Sequence, residues 1–170
     1  MNSWVALLRA VNVGGNNKIP MAELAALATR LGLEGARTYI ASGNLLFTSE
    51  LEEDALRSLI EDAIEGQFGA RIGVLVRSAA ELADVAARCP WPERPGNRVV
   101  ALFTDAAPSL EGLRHQAGEV LALGRREIFI DYGEGMAGSK LVVPATKTGT
   151  ARNMNTVRKL AELAGALAKT

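Results

Sequence analysis

One cysteine, Cys89, and one histidine, His115, occur in 170 residues. A single thiol closes no internal disulfide and builds no cysteine metal cluster, so a disulfide scaffold is excluded and a reducing compartment is expected. A Ser-His-Asp or Cys-His-Asp apparatus would need these lone residues to meet their partners across the fold. His115, in "GLRHQAGE", reads as an ordinary surface position, and Cys89, beside Pro90 and Trp91, has no local base or cation cluster to activate it. Aromatic residues are 5% of the chain and do not alternate with basic ones, which argues against a base-stacking platform. No apolar run approaches the roughly 18–20 residues of a membrane helix. The start, "MNSWVALLRAV", lacks the basic region and small-residue cleavage site of a signal peptide. A cytoplasmic protein with no membrane partner is the expectation. Metal-ligand spacings of the H-E-x-x-H or EF-hand kind are missing, and the acidic cluster Glu52, Glu53, Asp54 is explained by a helix start.

Net charge is also lacking, since 19 basic residues balance 19 acidic ones, so the chain as a whole has no field that would draw it onto nucleic acid. The distribution is uneven, however. Residues 1–22, 36–48 and 137–160 carry Arg9, Lys18, Arg37, Lys140, Lys147, Arg152, Arg158 and Lys159 without one acid. If these three segments meet in space, they form a positive surface on an otherwise acidic body.

The periodicities and punctuation predict the elements. "SWVALLRAV" is a short apolar run, the mark of a buried strand, and Pro20 opens a helix that ends at Gly32. "ARTYIASGNLLFTS" reads as extended chain broken at Ser42-Gly43-Asn44 by a hairpin turn or a bulge. Ser49 with Glu52, and Ser78 with Glu81, fit the S-x-x-E capping box, so helices are expected to start near 50 and 79, with "RIGVLVRS" a strand between them. "CPWPERPGN" (89–97) holds three prolines and continues neither period. It divides an N-terminal lobe, 1–90, from a C-terminal lobe, 98–170, with 91–97 as linker. The second lobe is expected as strand "RVVALFT", a helix over 109–118, strand "EIFID", a Gly-rich turn, strand "KLVVP" and a helix over 151–168. The fold class is therefore α+β and two-lobed, each lobe a small sheet with helices of ferredoxin-like β-α-β-β-α character.

Three segments could carry chemistry. "RAVNVGGNNKIP" (9–20) fits neither the Walker nor the dinucleotide spacing, yet its paired glycines, asparagines and Lys18 before a helix suit an anion. In "TKTGTARNMNTVRKLAEL", helical spacing places Arg152, Asn155, Thr156 and Lys159 on one polar stripe, while Asn153 flanks the apolar side and is expected to bond backbone groups. In "GMAGSKL", Ser139 and Lys140 are adjacent, which suits a turn residue and an anion-binding cation better than a Ser-Lys dyad.

"LLRAVNVGGNNKIPMAEL", "RTYIASGNLLF", "SKL" and "TARNMNTVRKL" together resemble the bacterial family catalogued as domain of unknown function 1697. The resemblance spans nearly the whole chain and implies a two-lobed α+β structure with no assigned activity. Its motif positions correspond to Arg9, Asn12, Gly14, Gly15, Lys18, Tyr39, Ser42, Gly43, Asn44, Ser139, Lys140, Arg152, Asn153, Asn155, Thr156 and Lys159. Two departures are Ala10, where the family usually has glycine, and Met154, where it usually has tryptophan. The functional expectation is a protein, enzyme or not, that binds a small anionic, phosphate-bearing molecule in an inter-lobe cleft. Arg9, Lys18, Lys140, Arg152 and Lys159 would supply charge, and Asn12, Asn44, Asn155 and Thr156 directional hydrogen bonds. The rivals are nucleic-acid binding by the same surface and an interaction module without a ligand. No cofactor, reaction or oligomeric state follows from the residues.

Overall fold

The computed structural model describes residues 1–9, 18–40, 43–134 and 136–168. The chain divides into two compact units, Met1–Ala83 together with the chain from Leu160 onward, and Asp84–Lys159.

The first unit runs β1 (Asn2–Leu8), α1 (Met21–Arg30), β2 (Glu34–Thr38), β3 (Asn44–Ser49), α2 (Glu53–Phe68), β4 (Val74–Ser78) and then into α3 (Ala79–Ala87). Its four strands form a fully antiparallel sheet in the order β2-β3-β1-β4. This is the ferredoxin-like arrangement expected from the sequence. β1 is a near-continuous apolar run because both of its faces are covered. Ala6, Leu8, Phe47 and Val76 face Leu24 and Ala28 of α1 and Leu56, Ile60 and Ile64 of α2 in one core. On the opposite face Val5, Leu7, Leu46 and Leu75 are buried as well, and the Ser3 hydroxyl donates to the Ala164 carbonyl at 2.8 Å. Gly69 ends α2 in the left-handed region, φ +74°, where a Cβ would be strained.

The helix starts follow the capping chemistry unevenly. Ser78 caps α3 as expected, its hydroxyl accepting from the Glu81 N–H at 3.1 Å. Ser49 does not cap α2. It stays in the sheet opposite Asn2 and accepts from the Leu51 N–H, so α2 begins at Glu53, three residues later than expected.

The second unit contains β5 (Val99–Phe103), β6 (Val120–Leu123), β7 (Glu127–Asp131), a 3₁₀ turn (Pro144–Lys147), β8 (Thr150–Asn153) and the start of α4 (Met154–Leu167). Its sheet is also antiparallel, in the order β6-β7-β5-β8. Counting strands from the start of each sheet, both have the order second, third, first, fourth, so the two units share one strand plan. Val100, Leu102, Ile128, Ile130 and Val143 form one buried cluster, and Val99, Ala101, Phe103 and Phe129 of the same sheet are buried as well.

Four expectations for this unit are corrected. Residues 109–118 form no helix: Pro108 precedes them, Gly112, His115 and Gly118 have positive φ, and Arg114 is held in a two-hydrogen-bond bridge to Val142. Leu110 and Leu113 still reach the core, from irregular chain. "VLAL" forms the unanticipated edge strand β6. "KLVVP" contributes only the Val142 bridge, and β8 takes the place next to β5. Residues 151–153 are therefore strand, and α4 begins at Met154 with the Asn153 side chain accepting from the Thr156 N–H at 2.9 Å. That bond is the backbone role expected of Asn153.

Candidate functional site

In the second unit, the antiparallel pairing of Val120 with Asp131 sets Glu119, just before β6, beside Tyr132, just after β7. The exit from β7 is pinned: Asp131 accepts from the Gly133 N–H at 2.9 Å and pairs with the Arg94 guanidinium at 3.1 Å. The Arg114–Val142 bridge then draws residues 115–119 toward 138–140. Between these walls lies a cavity of about 700 Å³ whose lining includes His115, Glu119, Tyr132, Glu134, Ser139 and Lys140 and the backbone of Gly133 and Gly138.

Glu119 organises one wall. It is 6% exposed, and its carboxylate accepts from the Ser139 hydroxyl and from the Ala117 N–H at 2.5 Å. The Ser139 bond first, and the Ala117 N–H next, hold this carboxyl below the usual glutamate range. Such a carboxylate is ionised at neutral pH and a poor proton acceptor. The Ser139 oxygen in turn accepts from the Leu141 N–H at 3.2 Å. Burial, reinforced by the Glu119 charge, pushes the Tyr132 phenol above its usual value and keeps it protonated. Lys140 is exposed at the wall and has no acidic partner among the described residues.

The expected ligand residues are distributed over both units. In the first, Arg9 leaves β1 with its N–H bonded to the Gly73 carbonyl at 2.9 Å and its side chain lying on Gly73. Lys18 is exposed. Asn44 is fully buried and donates to the Tyr39 carbonyl at 2.9 Å, across the mouth of the β2-β3 hairpin. Asn12, with Gly14, Gly15 and Ser42, lies outside the described residues. In the second unit only Lys140 reaches the cavity described above.

The helical stripe is corrected by the strand. Arg152 sits in β8 opposite Ala101, 7% exposed, donating to the Thr150 hydroxyl at 2.6 Å and the Ala151 carbonyl at 3.0 Å. Burial brings its guanidinium down to about 10. Asn155 is exposed with its carboxamide against Gly96, Thr156 is buried and Lys159 half-buried on α4. Glu119 and Tyr132 carried no sequence signal, because strand pairing alone makes them neighbours. His115 is exposed, as expected, but lines the cavity at φ +59°. Among the described residues there is no cluster of metal-ligating side chains and no helix long and apolar enough to cross a membrane.

The class defined by these features is an α+β protein of two units, each built on a four-stranded antiparallel sheet of the same strand order. Within that class the chain belongs to the family described as "Protein of unknown function (DUF1697)", which it matches over residues 1–129. It is similar throughout to the solved structure of the conserved bacterial protein SP0830 from Streptococcus pneumoniae, with 28% identity and a TM-score of 0.80. That similarity covers 96% of this chain and 98% of the other. Comparison with curated proteins finds no match.

Proposed function

We propose that this protein binds a small anionic, phosphate-bearing molecule, with Lys140 at the second-unit cavity supplying the charge. The observation that carries the reading is an exposed lysine, without an acidic partner among the described residues, on the wall of a cavity of about 700 Å³. Two carboxylates line the same cavity: Glu134 is exposed to solvent, and the buried Glu119 already accepts from Ser139 and Ala117, which spreads its charge over two donors. Lys140 follows a glycine-rich segment in which Gly133 and Gly138 add backbone surface without side-chain bulk. The reading covers binding, not a reaction, because the ionised Glu119 offers no evident base.

Calorimetric titration of the whole protein with inorganic phosphate, pyrophosphate and ribose 5-phosphate at low ionic strength tests it. At least one of these compounds is expected to bind, and Lys140→Ala to weaken it about tenfold or more, since a hydrogen bond to a charged group contributes about 1.5–3 kcal/mol. Lys140 is exposed, so the variant keeps its fold. Absence of binding, or unchanged affinity in Lys140→Ala, refutes the proposal. Affinity that grows with oligonucleotide length and collapses with salt would make the surface a nucleic-acid interface instead.

A further inference from the structure

The cavity is larger than an inorganic anion requires. Its volume of about 700 Å³ compares with about 30 Å³ for one water in the liquid, and falls in the range of about 300–1,000 Å³ typical of organic ligands. A bare phosphate at Lys140 would leave most of the space to water.

The wall opposite in character to Lys140 is rich in acceptors. A carboxylate offers about four acceptor positions, and Glu119 uses one for the Ala117 N–H and one for the Ser139 hydroxyl. Ser139 has spent its only proton on Glu119, and its oxygen accepts from Leu141, so it too meets the cavity as an acceptor. An anion gains nothing from this pair. A ligand that donates does. Tyr132 lines the same space, and its phenol, kept protonated by burial, is a donor that needs an acceptor. Of the neutral and charged donors available to metabolites, a hydroxyl both donates and accepts, whereas an ammonium only donates.

From this juxtaposition we infer that the ligand is a phosphorylated polyol, its sugar hydroxyls held by the Glu119–Ser139 pair and Tyr132 and its phosphate by Lys140. The inference rests on the anion-binding reading above and adds the class of the body that carries the anion. A free sugar phosphate and the ribose phosphate of a nucleotide present the same chemistry, and the probes separate them.

The test compares inorganic phosphate, ribose 5-phosphate, adenosine 5′-monophosphate and phosphoethanolamine by titration calorimetry on the wild type and on Ser139→Ala, Ser139→Thr and Glu119→Gln, with folding checked by circular dichroism. Ribose 5-phosphate, or the nucleotide, is expected to bind at least tenfold tighter than inorganic phosphate. Ser139→Ala should remove that advantage, bringing the ratio of ribose 5-phosphate to inorganic phosphate affinity to within about twofold of one, while Ser139→Thr, which keeps the hydroxyl, should retain it. Glu119→Gln should move the two ligands in opposite directions, tightening phosphate by removing a like charge and weakening the sugar. Tighter binding of the nucleotide than of ribose 5-phosphate assigns the ribose of a nucleotide, and the reverse assigns a free sugar phosphate. Equal affinity for phosphate and both polyol phosphates, stronger binding of phosphoethanolamine, or an advantage that survives Ser139→Ala overturns the inference while the anion-binding reading stands. Failure of every phosphate compound to bind removes that reading, and this inference with it.

Discussion

Replacing Glu127 by glutamine should cost about 3 kcal/mol. Glu127 is fully buried at the start of β7, and its carboxylate closes the β6-β7 turn. One oxygen accepts from the Arg88 guanidinium at 2.8 Å and the Arg125 N–H at 3.1 Å, the other from the Arg126 N–H at 3.2 Å. A carboxamide in the same place has one acceptor oxygen. Its better orientation keeps the first two bonds and turns its own N–H₂ toward the Arg126 N–H, donor against donor. A lost bond to a charged group is worth about 1.5–3 kcal/mol, and removing one partner of a buried ion pair costs about 3–5 kcal/mol. Arg88 is partly exposed and keeps Asp84 at 2.8 Å, which places the total at the lower end of that range. At roughly 2–4 °C per kcal/mol for a chain of this size, the melting temperature should fall by about 6–12 °C. Urea denaturation followed by circular dichroism measures the free energy directly. Gly124 supplies an internal control, because a Cβ there would lie 2.1 Å from the Glu127 carboxylate oxygen. Gly124→Ala should thus destabilise the wild type more than it destabilises Glu127→Ala, whose shortened side chain no longer meets the new methyl group. A loss below about 1 kcal/mol in Glu127→Gln, or strictly additive costs in the double variant, would refute the reasoning.

Three further outcomes are expected. Asn44→Ala should cost at least about 1–2 kcal/mol, since it strips a hydrogen bond from the Tyr39 carbonyl and empties a fully buried position; a urea midpoint equal to wild type would contradict this. Because the folded state holds the Glu119 carboxyl below its unfolded value of about 4.5, its contribution to stability is present above that pH and is lost as pH falls through the folded value. Ser139→Ala removes the main cause, so melting temperature measured from pH 6 to pH 3 should fall less steeply in the variant than in the wild type. Tyr132 should ionise above 10, followed by phenolate absorbance and assigned with Tyr132→Phe, and Glu119→Gln should lower its midpoint by removing the neighbouring charge.

Local chemistry made several elements readable in advance. The apolar run of β1, the Pro20 entry to α1, the hairpin at Gly43-Asn44 and the Ser78 cap of α3 each depend on a few adjacent residues, and they fold as their propensities dictate. The capping motif at Ser49 had the same local form as that at Ser78, but its residue was claimed by pairing with Asn2 and the helix began later. The stretch 109–118 failed as a helix for a related reason. Its leucines at 110 and 113 have helical spacing, yet the same two side chains reach the core from a chain turned at Gly112, His115 and Gly118 and anchored to Val142, 28 positions away from Arg114 in sequence.

The candidate site divides along the same line. Lys140 was legible as a cation in an acid-free segment following glycines, and its charge needs no partner to be recognised. Arg152 was legible as a cation too, but its burial in β8 depended on pairing with β5, a contact about fifty residues distant. Glu119, Tyr132 and Ser139 could not be linked in advance, because each is ordinary in its own neighbourhood and they meet only through the β6-β7 register and the glycine-rich return. By itself the sequence determined the family, the α+β class and the cations, all of which are properties of composition and short-range order. Which cation stays at a cavity and which is buried in a sheet was decided only by the tertiary structure, since burial and strand partnership are properties of residues far apart in the chain.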